Sequence, residues 1–140
     1  MAIRTANARW DGTLTEGTGT MRTGKGGLEA PYSFKSRFEE GEGSNPEELI
    51  GAAHAGCFSM AFSGQLGGAG ITAESINTSA TVTMEKLEAG WTVTSVVLDC
   101  SVKAPGAEEG KVRTAADNAK KGCPISRLLN AKIDLVLKIN

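Results

Sequence analysis

The sequence has few of the residues on which several kinds of functional site depend. Its 140 residues include one histidine, and aromatic side chains make up 5% of the chain. A single histidine excludes a His-rich metal site. The glycine-rich segments at residues 24–27 and 67–70 lack the strand-to-helix context of a nucleotide-binding loop. We therefore expect no metal ion and no other cofactor.

The chain also lacks an excess of charge of either sign. Its 15 Lys and Arg residues nearly balance 16 Asp and Glu residues, which gives no electrostatic reason to expect nucleic acid or an anionic membrane as a partner. No signal peptide and no apolar run long enough to cross a bilayer are present, so we expect a cytoplasmic protein. Three cysteines do not suggest a structural disulfide framework in that compartment, and each thiol needs its own explanation.

The most distinctive stretch is residues 45–68, which is predicted to be a helix. Asn45 suits the N-cap, Pro46 suits the first helical position, and the Glu48 side chain is placed to accept from the N–H of the cap. Residues 49–62 contain no Asp, Glu, Lys or Arg. A helix that is apolar on every side, yet too short for a bilayer, is predicted to be buried within a soluble fold.

The rest of the chain alternates between strand and helix patterns. The patterns predict strands over residues 2–10, 13–20, 32–38, 78–87, 91–102 and 132–139, and helices over residues 108–121 and 124–129. Asp11 and Gly12 are predicted to form a two-residue hairpin turn. Alternation within the third strand predicts that Arg37 points away from its aromatic neighbours. The order indicates an α+β fold of mostly antiparallel sheet, in a single domain of residues 1–140.

The predicted apolar helix needs cover on all sides, and one chain of this length offers limited cover. Small residues at positions 51–53 and 55–56 would allow two helix backbones to approach closely. We therefore expect an intertwined homodimer in which two copies of the helix cross near Ala52 inside a shared core.

The three cysteines lie in different surroundings. Cys100 is on the apolar face of its strand and is expected to belong to the core. Cys123 is predicted to cap a short helix, where N–H groups and the helix dipole lower a thiol pKa. The position of Cys57 fits packing and reactivity equally well. Together Cys57 and Cys123 resemble a peroxidatic and resolving pair, but their spacing leaves open whether they meet.

Two segments, NPEELIGAAHAGCFSM and KKGCPIS, carry a family signature. They resemble the OsmC branch of the OsmC/Ohr family of thiol peroxidases, and the similarity extends over essentially the whole chain. The resemblance implies an OsmC-like homodimer that reduces organic hydroperoxides, and less efficiently hydrogen peroxide, to alcohol and water in stress defence. By position it implies that Cys57 is the peroxidatic cysteine, Cys123 the resolving cysteine, and Arg37 and Glu47 catalytic residues. It also implies a dithiol reductant such as a lipoylated protein, which the residues themselves do not identify.

Peroxide reduction explains why these residue types would occur together. A thiolate at Cys57 attacks the peroxide, but burial raises a thiol pKa. The permanent charge of Arg37 would oppose that rise, and Glu47 would hold the guanidinium through a two-pronged ion pair. The resulting sulfenic acid would condense with the Cys123 thiol to form a disulfide.

Helix geometry constrains this site. Positions 47 and 57 are separated by about 15 Å along a straight helix, so their side chains would not share a site within one helix. Either the helix breaks near Gly51, or two helices cross antiparallel near Ala52 and Glu47 of one subunit meets Cys57 of the other. We favour the second arrangement.

Two other functions remain open from the sequence. The chain could be a non-catalytic dimeric binding protein that holds an apolar ligand. It could also be a Cys–His acyl hydrolase, since His54 lies one helical turn before Cys57, although no orienting group or oxyanion hole is visible. Glu48 is interpreted as a capping residue rather than a catalytic one.

Overall fold

The structure, a computed structural model, describes residues 1–140, which divide into an N-terminal unit, Met1–Leu49, and a C-terminal unit, Ile50–Asn140. The expectation of a single domain stays a prediction. None of the helices is long and apolar enough to cross a membrane. The elements, which give the predicted α+β class, are β1 (Ala6–Asp11), β2 (Thr18–Thr23), β3 (Glu29–Tyr32), α1 (Phe34–Phe38), α2 (Pro46–Gly68), β4 (Ser75–Leu87), β5 (Gly90–Lys103), α3 (Glu109–Gly122), α4 (Pro124–Leu128) and β6 (Lys132–Ile139).

The N-terminal unit contains an antiparallel sheet in the order β1-β2-β3. Asp11 pairs with Thr18, so residues 12–17 connect the first two strands and the predicted two-residue turn is wrong. The loop closes when the N–H of Gly17 donates to the carbonyl of Thr13 at 2.8 Å. Alternation alone did not reveal this longer connection, because Asp-Gly is a turn signal in both cases.

The predicted strand over residues 32–38 is wrong beyond Tyr32, because the chain turns there into helix α1. Its start is fixed by a reciprocal capping box. The N–H of Ser36 donates to Ser33 Oγ at 3.1 Å, and the N–H of Ser33 donates to Ser36 Oγ at 2.9 Å. Both bonds satisfy backbone donors that a helix start leaves unpaired, and this favours helix over strand.

Helix α2 begins where the sequence predicts. The Asn45 side chain accepts the N–H of Glu48 at 2.8 Å, which confirms it as the N-cap, and its amide donates to the carbonyl of Ser36 at 3.0 Å. The predicted return bond from Glu48 to the cap is wrong. Its carboxylate accepts the hydroxyl of Ser44 at 2.7 Å instead.

The end of α2 is also confirmed at its glycines. The N–H of Gly70 donates to the carbonyl of Gly67 at 3.0 Å, and that of Ile71 donates to Leu66 at 2.9 Å. This pair of bonds is the Schellman arrangement, which requires a left-handed residue just after the helix. Gly70 provides it with a φ of 76°.

The C-terminal unit packs helices on a three-stranded sheet in the order β4-β5-β6. The predicted β4–β5 hairpin is confirmed, and β6 lies parallel to β5. The apolar residues that recur at every second position of β5 and on one side of α3 are all buried. With residues of α2 they form a core that comprises Phe58, Phe62, Leu66, Val96, Leu98, Cys100, Val102, Val112, Ala115, Ala116 and Ala119.

Helix α2 does not have the all-round burial that the sequence predicts. One face is buried, with Gly51, His54, Phe58, Phe62 and Leu66 spaced three or four residues apart. The opposite face is exposed and equally free of charge. It includes Ala52, Ala53, Gly56, Met60, Ser63 and Gly64, and Met60 is 81% exposed. The prediction of complete burial is therefore wrong for a single chain.

The glycines that end α2 make a matched test of this helix terminus. We expect Gly70→Ala to lower the free energy of unfolding by about 1 kcal/mol, since alanine is strained at a positive φ. Gly68→Ala should raise it by about 0.5 kcal/mol, because Gly68 is helical and a β-carbon there meets open space. Urea denaturation of the two variants checks this, and equal effects of the same sign would contradict it.

Candidate active site

Arg37 and Glu47 form an ion pair within the N-terminal unit. Arg37 lies in the last turn of α1, and Glu47 lies in the first turn of α2. Arg37 Nη2 is 2.7 Å from Glu47 Oε1, and Nε lies 3.2 Å from each carboxylate oxygen. Two guanidinium nitrogens therefore hold both oxygens, which is the geometry that fixes an arginine most firmly. The Glu47 side chain is 13% exposed and that of Arg37 is 37% exposed.

Beside this pair the N-terminal unit has an aromatic cavity of about 240 Å³, lined by Trp10, Leu14, Tyr32, Ser33, Phe34, Arg37 and Phe38. The rings of Phe34 and Phe38 lie 5.0 Å apart, as helical neighbours. The guanidinium carbon of Arg37 is 5.3 Å from the centre of the Phe38 ring. The prediction that Arg37 points away from its aromatic neighbours is thus wrong, because the segment is helical and not extended.

The C-terminal unit brings two thiols together. Cys57 lies on α2 and is partly buried, whereas Cys123 is fully buried at the junction of α3 and α4. The two thiols are joined by a hydrogen bond, and the N–H of Ile125 donates to the Cys57 sulfur. All three cysteines are free thiols. The contact that spacing alone left open is therefore present.

The surroundings of Cys57 act on its pKa in opposite directions. Burial raises the pKa of the Cys57 thiol, and the hydrogen bond with Cys123 raises it further. The N–H of Ile125 lowers that pKa, since a donor stabilises the thiolate. Together these contacts of the C-terminal unit raise the Cys57 pKa and so favour the thiol form. A nearby cation would be needed to favour the thiolate.

Cys123 occupies the predicted cap of α4. It is the last residue before Pro124, which takes the first helical position, and its side chain makes no capping bond. The thiol is thus free for Cys57. Cys100, in contrast, is fully buried on β5, where burial raises the pKa of its thiol, and its predicted core position is confirmed.

His54 has a partner that the sequence did not indicate. Its ring is fully buried, Nε2 lies 2.7 Å from Ser126 Oγ, and Nδ1 has no hydrogen-bond partner. Burial lowers the pKa of His54. Neither ring nitrogen bonds the Cys57 sulfur, so the geometry does not support a Cys–His hydrolase. No group of three or more His, Cys, Asp or Glu residues is placed to hold a metal ion.

Two thiols in contact on an α+β framework define a dithiol site, the kind that forms a reversible disulfide. Comparison with known proteins identifies the family of this chain. A family model described as OsmC-like protein matches residues 39–138. "Peroxiredoxin OsmC" from Escherichia coli (strain K12) is 47% identical over 129 residues, which cover 91% of this chain and 90% of that protein. The chain belongs to the OsmC-like family.

More distant relatives agree with this assignment. An "Organic hydroperoxide resistance protein" from Xanthomonas axonopodis pv. citri (strain 306) is 25% identical over 100 residues, or 71% of this chain and 68% of that protein. The solved structure of an OsmC-like protein of unknown function from Vibrio cholerae superposes with a TM-score of 0.79 at 18% identity, over 98% of this chain and 99% of that one. This last likeness shows the OsmC-like fold.

The contact between the two thiols makes a prediction about pH. We expect Cys123→Ala to move the midpoint of Cys57 alkylation to lower pH, because the Cys123 thiol raises the Cys57 pKa by stabilising its neutral form. Iodoacetamide labelling across a pH series, read by mass spectrometry of the Cys57 peptide, measures the midpoint. Cys100→Ala serves as the control and should leave it in place. A midpoint that rises in Cys123→Ala would contradict the assigned direction.

Proposed function

We propose that this protein is a thiol-dependent peroxidase that reduces organic hydroperoxides, and less well hydrogen peroxide, to alcohol and water, with a role in oxidative and osmotic stress defence. The single observation that carries the proposal is the contact between the Cys57 and Cys123 thiols. Family membership supports it, since relatives are named a peroxiredoxin and an organic hydroperoxide resistance protein. Its three free thiols suit a reducing compartment, and we place it in the cytoplasm.

The first chemical step takes place at Cys57. Its thiolate attacks the distal peroxide oxygen, the O–O bond breaks, and the departing alkoxide takes a proton to leave as the alcohol. Two electrons pass from sulfur to the peroxide. Cys57 is left as a sulfenic acid.

The second step uses the neighbouring thiol. The Cys123 sulfur attacks the sulfur of the sulfenic acid, a disulfide forms, and water leaves. The hydrogen bond between the two thiols in the reduced protein supports this step, because it places the attacking sulfur beside its target. A dithiol reductant, such as a lipoylated protein, then exchanges with the disulfide and restores both thiols.

The first step needs a cation near Cys57. Burial and the Cys123 thiol both raise the pKa of Cys57, and the single N–H of Ile125 opposes them. We assign the cation to Arg37, which stays charged at any working pH and carries several donors. Glu47 fixes its guanidinium before substrate arrives, and its two-pronged geometry suits that role.

We further propose that Arg37 and Glu47 act on Cys57 of the partner subunit in a homodimer. Helix α2 continues without a break past Gly51, and positions 47 and 57 of such a helix are about 15 Å apart along its axis. The exposed uncharged face of α2 around Ala52 and Gly56 fits a second copy of the same helix. An antiparallel crossing at Ala52 brings position 47 of one helix level with position 57 of the other.

The aromatic cavity suits an organic substrate. Its lining is mostly apolar, and Arg37 is its one charged lining residue. A hydroperoxide with an alkyl or aryl group would place that group among the rings and its peroxide oxygens at the guanidinium. Hydrogen peroxide fills none of the apolar space, which accounts for its expected lower efficiency.

Loss of the cation is expected to change the pH dependence of Cys57. Arg37→Ala should move the midpoint of Cys57 alkylation to higher pH, since the thiolate loses its opposing charge, and the rate at neutral pH should fall about tenfold for each unit of pKa. Glu47→Gln should give a smaller shift in the same direction. Arg9→Ala is a matched control, because Arg9 also forms a two-pronged pair, with Asp11, in the same unit. Equal midpoints in Arg37→Ala and Arg9→Ala would remove Arg37 from the site.

Treatment with one equivalent of cumene hydroperoxide tests the proposed function. We expect hydroperoxide loss together with a Cys57–Cys123 disulfide, mapped by mass spectrometry. Cys57→Ser should abolish both, and Cys123→Ser should leave sulfenic or further oxidised Cys57. If no cysteine is oxidised, the result would instead favour a non-catalytic binding protein. If all three cysteines are oxidised to the same extent, the proposed pair is refuted.

A further inference from the structure

A hydrogen bond between a buried histidine and a partly buried serine links α2 to α4. His54 lies on the buried face of α2, one turn before Cys57, and its Nε2 is 2.7 Å from Ser126 Oγ. The ring is fully buried, and His54 is the only histidine of the chain. Nothing in the proposed peroxidase chemistry uses this bond directly.

Helix α4 is short and lies at the surface. It has five residues, none of them buried, and its cap residue Cys123 makes no side-chain capping bond. So short a helix has little intrinsic stability and depends on contacts with its surroundings. The bond from Ser126 to His54 is one such contact, and it ties the first turn of α4 to α2.

That first turn carries both groups that contact the Cys57 sulfur. Cys123 caps the helix and meets Cys57 through its thiol, and Ile125 donates its N–H to the same sulfur. Ser126 is the next residue along the chain. A shift of α4 away from α2 would move the N–H and the second thiol away from Cys57 together.

We propose that His54 is a positioning residue, which holds the first turn of α4 against Cys57 through its hydrogen bond to Ser126. The N–H of Ile125 is thereby kept at the sulfur of the reacting cysteine, and the Cys123 thiol is kept within reach of the sulfenic acid. The inference rests on the proposed function only in taking Cys57 as the cysteine that reacts with peroxide.

The chemistry of a neutral imidazole suits this role. Burial lowers the pKa of His54, so the ring is uncharged near neutral pH. An imidazolium would bury a charged N–H at Nδ1, where no acceptor is present. In either neutral tautomer Nε2 forms the bond with the serine hydroxyl, as acceptor or as donor.

Removal of one hydroxyl tests the proposal with little risk to the fold. In Ser126→Ala we expect the midpoint of Cys57 alkylation to move to lower pH, because the Cys123 thiol moves away together with the N–H of Ile125, and the thiol raises the Cys57 pKa by more than the N–H lowers it. We also expect disulfide formation after one equivalent of cumene hydroperoxide to slow about tenfold, as loss of a buried hydrogen bond allows. Ser126→Thr, which keeps the hydroxyl, should restore both values.

Ser59 provides a matched control in the same helix. Its hydroxyl bonds Thr78 Oγ1 at 2.8 Å, so Ser59→Ala also removes a hydroxyl bond between α2 and another element, but not one to α4. We expect Ser59→Ala to leave the alkylation midpoint and the rate of disulfide formation unchanged. If Ser126→Ala behaves like Ser59→Ala in both measurements, His54 has no positioning role.

The alkylation readout separates this inference from the proposed function. It uses iodoacetamide and needs no peroxide, so it reports on the support of Cys57 even if the wild-type protein forms no disulfide with a hydroperoxide. Failure of the wild type to form the disulfide would count against the proposed function. An unshifted midpoint in Ser126→Ala would count against the role of His54.

Discussion

The constraint on which the site depends is the cost of a negative charge on a partly buried sulfur. Burial raises the pKa of the Cys57 thiol, which in the proposed reaction must attack the peroxide as a thiolate. Only the N–H of Ile125 opposes that rise, and the thiol of Cys123 adds to it. In our account the remaining charge compensation comes from Arg37, which Glu47 holds in a fixed orientation.

Helix α2 is the element that makes this arrangement possible. Its cap at Asn45 anchors the turn that carries Glu47, and its buried face carries His54 into the core. Its other face is uncharged and exposed in a single chain, which explains why the sequence looked apolar on every side. One uncharged face of α2 thus packs in the core, and we propose that the other packs against a partner helix.

The sequence predicted most where periodicity was long and unambiguous. The buried positions of β5 follow from strand alternation alone, and those of α3 follow from helical spacing alone. The strand prediction around Arg37 was wrong, because alternating apolar residues over a few positions fit a strand as well as one helical turn. The capping box between Ser33 and Ser36 stabilises the helix. The link from His54 to Ser126 joins positions 72 apart, and no local pattern reports such a contact.

We propose that the two halves of the site, Arg37 with Glu47 and Cys57 with Cys123, meet between two chains. Co-expression of an Arg37→Ala chain with a Cys57→Ser chain tests it most directly, since each variant alone should be nearly inactive toward cumene hydroperoxide. In a mixed dimer one Cys57 would face an intact arginine of the partner, so random pairing should restore about a quarter of wild-type activity. If the mixture contains mixed dimers yet stays as inactive as either variant alone, the site is not shared between subunits.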